Sequence, residues 1–130
     1  MIREAALACI LIADDDVILT EMLRFRLEAA GHSVACAADG MAALEAVASR
    51  DIDLIVLDLM MPIVAGPEVL ARLKTDPATA DIPVVMLTAR KSEGDVVAAL
   101  KGGVDEYLTK PFMPQELLLR ITKLLAKAVR

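Results

Sequence analysis

The sequence predicts an α/β fold, an open doubly wound parallel sheet assembled from five βα units. Three observations carry this. Short runs of consecutive apolar residues recur along the chain, at Cys9 to Ala13, Leu54 to Leu57 and Val84 to Leu87. Unbroken rather than alternating hydrophobicity marks strands buried on both faces, as in a parallel sheet under helices. Each run gives way to a segment with apolar residues at helical spacing, and strands alternating with helices build a parallel sheet through right-handed crossovers. Finally, 57% of the 130 residues are hydrophobic but only one Tyr and two Phe are aromatic, so the core is aliphatic. This length suits one domain with a sizeable core.

Cys9-Ile10-Leu11-Ile12-Ala13 is the first strand and runs into Asp14-Asp15-Asp16. Leu19, Met22, Leu23, Leu27 and Ala30 then fall at helical spacing. Asp15 or Asp16 can cap that helix, and Gly31 can end it. Ser33 to Ala37 is a short strand. Gly40 to Ser49 is an alanine-rich helix with Met41, Leu44 and Val47 on one face. Asp53 to Asp58 is the central strand, and Pro62 forces it to stop near Asp58.

Beyond a loop through Gly66, Glu68 to Lys74 is a short helix, broken by Thr75-Asp76-Pro77. Pro83 to Thr88 is the fourth strand. Ser92 to Lys101 is a helix ended by Gly102-Gly103. Asp105 to Leu108 is a short fifth strand. Lys110-Pro111-Phe112 leads into a last helix from Pro114 to about Lys127. No repeat, low-complexity run or linker interrupts the pattern, so residues 1–130 read as a single domain.

Five such units suggest the flavodoxin-like strand order 2-1-3-4-5, whose topological switch lies between the first and third strands. Ligands bind at the carboxyl ends of strands beside such a switch. Those strands end in Asp14-Asp15 and in Asp58. The fold therefore gathers three carboxylates from distant parts of the chain into one crevice.

Composition narrows the function. The net charge is −5 and the pI about 4.8. An acidic domain gains no counterion-release affinity, which argues against direct nucleic-acid binding. Cys9 and Cys36 lack CxxC spacing, and are read as small buried residues in a reducing cytosol. Ala5 to Ala13 is apolar, but Arg3 is offset by Glu4 and the run ends in three aspartates, which does not resemble a signal peptide. No apolar run reaches the roughly 18 residues of a membrane span. His32, the one histidine, is expected as an exposed turn residue after Gly31.

Three carboxylates a few ångströms apart raise one another's pKa unless a cation compensates them. Mg²⁺ takes one or two carboxylates, keeps several waters and accepts phosphate oxygens. Helix capping accounts for one of the three consecutive aspartates, but not for one that follows the strand directly. Thr88 ends the fourth strand and Lys110 follows the fifth, on the same edge. A hydroxyl and an ammonium facing a metal-bound carboxylate form a site for an incoming phosphoryl group.

Four segments in this order give the chain a specific likeness: Ile10 to Asp16, Leu57-Asp58-Leu59-Met60-Met61-Pro62, Met86-Leu87-Thr88-Ala89 and Tyr107-Leu108-Thr109-Lys110-Pro111-Phe112. Over essentially its whole length it resembles the response-regulator receiver domains of two-component signalling. The resemblance implies that Asp58 takes a phosphoryl group from the phosphohistidine of a histidine kinase or phosphotransfer protein. It implies Mg²⁺ (or Mn²⁺) held directly by Asp15 and Asp58 and by the Met60 carbonyl, with Asp14 acting through water. Thr88 and Lys110 would contact the phosphoryl oxygens, and small Ala89 would leave the acceptor accessible. Thr88 and Tyr107 would carry the switch, altering the face formed by the last two helices and the strand between them. That face is the expected partner or homodimer surface. Glu106, Glu116 and Arg120 lie on it, either as intersubunit ion pairs or as solvated charges.

The chain departs from many relatives at Ile63-Val64-Ala65-Gly66, where they carry Gly-Met-Asp-Gly. Gly66 is expected to supply a positive φ. Ile63 and Val64 are stiff and ill-suited to one, and could instead form an apolar contact patch. Met60 and Arg90, each two residues beyond a site residue, are poor orienters of an attacking water, so self-dephosphorylation should be slow.

Rival readings fit less well. An aspartyl-nucleophile phosphatase wants a second acid where Met60 stands. No GxxxxGK[ST] occurs, which disfavours a P-loop NTPase. Three aspartates after the first strand would repel a flavin phosphate. A degenerate receiver that only binds partners would not need the intact set of acids, Thr88 and Lys110. The chain is read as a cytoplasmic receiver, either stand-alone or part of a longer regulator. No turnover of an external substrate is expected.

Overall fold

A computed structural model describes residues 7–89 and 93–129. Strands and helices alternate: β1 (Cys9–Ala13), α1 (Val17–Ala29), β2 (Ser33–Ala37), α2 (Gly40–Ser49), β3 (Leu54–Asp58), α3 (Gly66–Thr75), β4 (Val84–Thr88), α4 (Glu93–Lys101), β5 (Glu106–Thr109) and α5 (Pro114–Val129). The strands form one sheet in the order β2-β1-β3-β4-β5, and every adjacent pair is parallel. The fold is thus the doubly wound sheet that the sequence predicts.

Unbroken apolar strands split their side chains between two cores. Ile10, Ile12, Leu54, Val56, Val85 and Leu87 pack with Leu23 and Leu27 of α1 and Leu117 and Ile121 of α5. Leu11, Ile55, Leu57, Val84 and Met86 pack with Ala43 of α2, Val69, Leu70 and Leu73 of α3, and Ala99 of α4. Helix α1 opens with β-branched Val17, Ile18 and Thr20, which are mediocre helix formers. Each costs a few tenths of a kcal/mol against alanine, whereas burying Leu23 and Leu27 contributes roughly 1.5–3 kcal/mol per side chain. Tertiary packing decides.

Element edges differ from the sequence reading by a residue or two, for identifiable reasons. Helix α3 begins at Gly66 because Pro67 fits its first turn, where a missing N–H is not needed. Asp53 and Asp105 precede β3 and β5 and act as strand-start clamps. The Asp53 carboxylate accepts from the Cys9 N–H at 2.7 Å, while its own N–H donates to the Cys9 carbonyl at 2.8 Å. Asp105 does the same for Val84, through its carboxylate at 2.8 Å and its N–H at 2.8 Å. Ser92, the expected start of α4, lies outside the described residues.

Two expectations about small groups need correction. Both thiols are free, but Cys36 is exposed and Cys9 only half-buried. Strand β2 is the sheet's edge, so an apolar sequence there does not guarantee cover. His32 is half-buried rather than exposed, and burial lowers its pKa. Among the described residues, no helix is long and apolar enough to cross a membrane.

Candidate functional site

Register places the site. Ala13 pairs with Leu57, so Asp14 comes level with Asp58 at the carboxyl edge. Asp58 pairs with Leu87 and Thr88 with Thr109. Thr88 and Lys110 therefore leave the same edge one step further on. The Lys110 N–H donates to the Thr88 carbonyl at 2.7 Å, extending the ladder past Thr109. The Lys110–Pro111 peptide is cis.

The three consecutive aspartates have three different environments. Asp14 is 3% exposed. Its Oδ1 accepts from the Asp16 N–H at 2.9 Å and its Oδ2 from Lys110 Nζ at 2.8 Å. Asp15 is exposed and faces the cluster. Asp16 resolves the capping alternative, since its Oδ1 accepts from the Leu19 N–H at 3.1 Å and caps α1. The buried Thr20 hydroxyl donates weakly to the Asp14 carbonyl at 3.5 Å.

Asp58 is 5% exposed. Its Oδ1 accepts from the Met60 N–H at 3.2 Å, and Lys110 Nζ stands 3.7 Å from its Oδ2. Burial first, then the Asp14 charge, push the Asp58 pKa up to about 6 against the opposing Met60 hydrogen bond and Lys110 charge. Burial works against the Lys110 charge too. The hydrogen bond to Asp14, and the charges of Asp14, Asp58 and Asp16, outweigh it and raise the ammonium pKa.

Asp14, Asp15 and Asp58 each offer a carboxylate oxygen, all within 4.8 Å of one another. One ammonium does not balance three acids, and the Asp14 charge adds to burial in raising the Asp58 pKa. An all-oxygen donor set with one exposed member for entry fits a hard divalent cation. A groove of about 640 Å³, lined by Asp15, Met60, Pro62 and Pro67 among others, opens beside the cluster. A second, of about 440 Å³, lies between the cap residue Asp16, Leu19 and Met22 of α1, and Lys110 to Phe112.

The chain matches the family model of the response regulator receiver domain over residues 10–122. It belongs to the response regulator receiver family. It is 42% identical over 118 residues to the phosphate regulon transcriptional regulatory protein PhoB of Pseudomonas aeruginosa, covering 91% of this chain and 52% of that protein. It is 44% identical over 121 residues to the DNA-binding dual master transcriptional regulator RpaA of Synechocystis, covering 93% and 50%. The receiver thus spans about half the length of the curated relatives it matches. Among solved structures, the Francisella response regulator 1452 receiver domain superposes with a TM-score of 0.87 at 34% identity, covering 93% of this chain and 98% of that one. The chemotaxis response regulator CheY4 of Vibrio cholerae gives 0.85 at 30% identity, covering 91% and 98%. Receivers act in two-component signalling with histidine kinases, and generally bind Mg²⁺ at an acidic pocket of this kind.

The expected site residues fall in two groups. Asp14, Asp15, Asp58 and Lys110 converge, with Met60 joined to them through its N–H. Thr88 is fully buried at the end of β4. Tyr107 pairs with Met86, back from that edge, and is partly buried against the α2-α3-α4 core. Arg90 lies outside the described residues.

The loop after Asp58 departs from expectation. The positive φ, 70°, belongs to Ile63 and not to Gly66. Gly66 is needed for close approach, since a Cβ there would sit 2.8 Å from the Leu59 Cα and closer still to the Asp58 carbonyl oxygen. Ile63 is 75% exposed, whereas Val64 packs against the core, so the apolar patch reduces to Ile63. On the opposite side of the domain, Arg120 pairs within the chain to Glu106 and, at 2.9 Å, to Glu116. The Arg120–Glu116 bond is exposed to solvent and the Arg120–Glu106 bond partly buried, so these charges pair within the chain while still meeting solvent. Sequence reasoning also missed Asp39, whose Oδ1 caps α2 by accepting from the Ala42 N–H at 2.8 Å. An aspartate just before Gly-Met-Ala-Ala-Leu was a readable capping signal.

Proposed function

We propose that this receiver accepts a phosphoryl group from a phosphohistidine onto Asp58 in a reaction that requires Mg²⁺ or Mn²⁺. One observation carries the reading: three carboxylate oxygens meet at the sheet's switch point, with Lys110 Nζ 3.7 Å from Asp58. Asp15 and Asp58 would hold the cation directly, with the Met60 carbonyl, and Asp14 through water. Once bound, the cation supplies positive charge to the carboxylates and to the phosphoryl oxygens.

An oxygen of Asp58 attacks phosphorus, and the P–N bond breaks with its electron pair returning to the imidazole. Without a cation, Asp58 at a pKa of about 6 is already mostly ionised near neutrality, and a bound cation would favour the ionised form further. Lys110, tied to Asp14, offers its remaining protons to the arriving phosphoryl oxygens. The Thr88 hydroxyl serves the same group, and its movement lets Tyr107 turn inward. The added charge, near −2, then shifts the α4-β5-α5 face. Exposed Val97, Leu100 and Leu119 on α4 and α5 suit that face to a partner or a second copy. Residues 1–130 act as one phosphoacceptor domain in the cytoplasm, where free thiols persist. The acidic domain itself makes no contact with nucleic acid or membrane.

Phosphorylation by phosphoramidate in Mg²⁺, followed by borohydride reduction and peptide mapping, tests the acceptor. Reduction confined to the peptide bearing Asp58 is expected. Label on another residue would overturn the assignment.

A further inference from the structure

The loop between β3 and α3 carries Met60, whose N–H holds Asp58. It is seated against the start of α2. The Gly40 N–H donates to the Pro62 carbonyl at 3.3 Å. A Cβ on Gly40 would lie 2.6 Å from the Val64 carbonyl carbon and closer still to its oxygen. That obstacle is backbone and cannot rotate aside. Nor can α2 easily retreat, because Asp39 caps it and Ala43, one turn on, is 1% exposed. On its other flank the loop meets Gly66, which also has no room for a Cβ against Leu59.

We infer that Gly40 is a positioning residue for the cation site, acting from another βα unit through the Pro62–Val64 backbone on Met60 and Asp58. The inference rests on the acidic site binding Mg²⁺, as proposed above. A side chain at position 40 makes the loop yield, because the helix is held. Met60 then shifts relative to Asp58, while the Lys110–Asp14 bond across the crevice is untouched. The expected signature is selective. Affinity for Mg²⁺ falls by about tenfold or more, in the range typical for groups that orient metal ligands, while the fold and the Lys110–Asp14 pair remain.

Mg²⁺ alone is titrated into the full chain by calorimetry, with amide NMR of Met60 in metal-free protein as a second readout. Gly40→Ala is compared with Gly94→Ala, since a Cβ at Gly94 meets nothing within 4 Å. Gly40→Ala should bind about tenfold more weakly and shift the Met60 amide, with Gly94→Ala matching the parent. Parent-like affinity and an unshifted Met60 amide in Gly40→Ala overturn the inference. If Gly40→Ala does not fold, Gly40→Ala with Val64→Gly, whose loop can turn aside, decides. A folded double variant with weakened binding supports the inference, and parent-like binding overturns it. Failure of the parent to bind Mg²⁺ instead overturns the reading of the acidic site.

Discussion

Lys110 Nζ is bonded to Asp14 at 2.8 Å and stands 3.7 Å from Asp58. The amine is therefore anchored to one acid and aimed at another. Removing it leaves two buried carboxylates with no cationic partner among the described residues. Lys110→Met is expected to destabilise the metal-free protein by about 2–4 kcal/mol. That is somewhat less than for a fully enclosed pair, because the amine keeps some solvent contact. Urea unfolding in chelator measures this, and an unchanged midpoint would contradict it.

Asp58 gives a pH dependence of definite sign. Its folded pKa, about 6, lies above the ordinary 3.8, so the folded state binds the proton more tightly. The resulting stabilisation is fully present below pH 3.8 and is lost as pH rises through about 6. Metal-free protein should lose about 1–1.5 kcal/mol from this group between pH 5 and 7. Asp58→Asn should flatten that part of the profile, and so should saturating Mg²⁺. An equally steep profile in Asp58→Asn would remove Asp58 as its source.

Ile63 is β-branched, exposed and held at φ 70°, a conformation costing roughly 1–2 kcal/mol for most L-residues. Asparagine tolerates it better. Ile63→Asn should therefore stabilise the protein by roughly 0.5–1.5 kcal/mol, read as a higher melting temperature. A lower one would mean that the Ile63 side chain has packing that outweighs the strain.

The strand-start clamps differ in cover, since the Asp105–Val84 bond is partly buried and the Asp53–Cys9 bond is exposed. Asp105→Ala should cost about 1–2 kcal/mol and Asp53→Ala under about 1 kcal/mol. Equal costs, measured by chemical unfolding, would show that burial does not set the difference.

Most of the fold was legible because burial writes itself into β1, β3 and β4 as unbroken apolar runs. The acids and Lys110 were legible because register carries strand ends to one edge. What stayed hidden depends on contacts between units. Ile63 takes a positive φ in a loop seated against Gly40, and no local signal at Ile63 announces that. Cys36 looks like core in sequence, but an edge strand leaves it in solvent. Arg120 meets Glu106 only because α5 lies over β5.

Met60 is 54% exposed and apolar, with nothing to orient a water toward a phosphoryl group. The phosphorylated domain should persist for minutes or longer, and Met60→Asn should shorten that lifetime. Loss within seconds in the purified parent would contradict the expectation.

The central claim is that Asp58 takes up one phosphoryl group and needs a divalent cation to do so. Intact mass after incubation with acetyl phosphate, with and without Mg²⁺, tests it most directly. One added phosphoryl group in Mg²⁺, none in chelator and none in Asp58→Asn is the expected result. Phosphorylation that survives chelation, or that persists in Asp58→Asn, would contradict it.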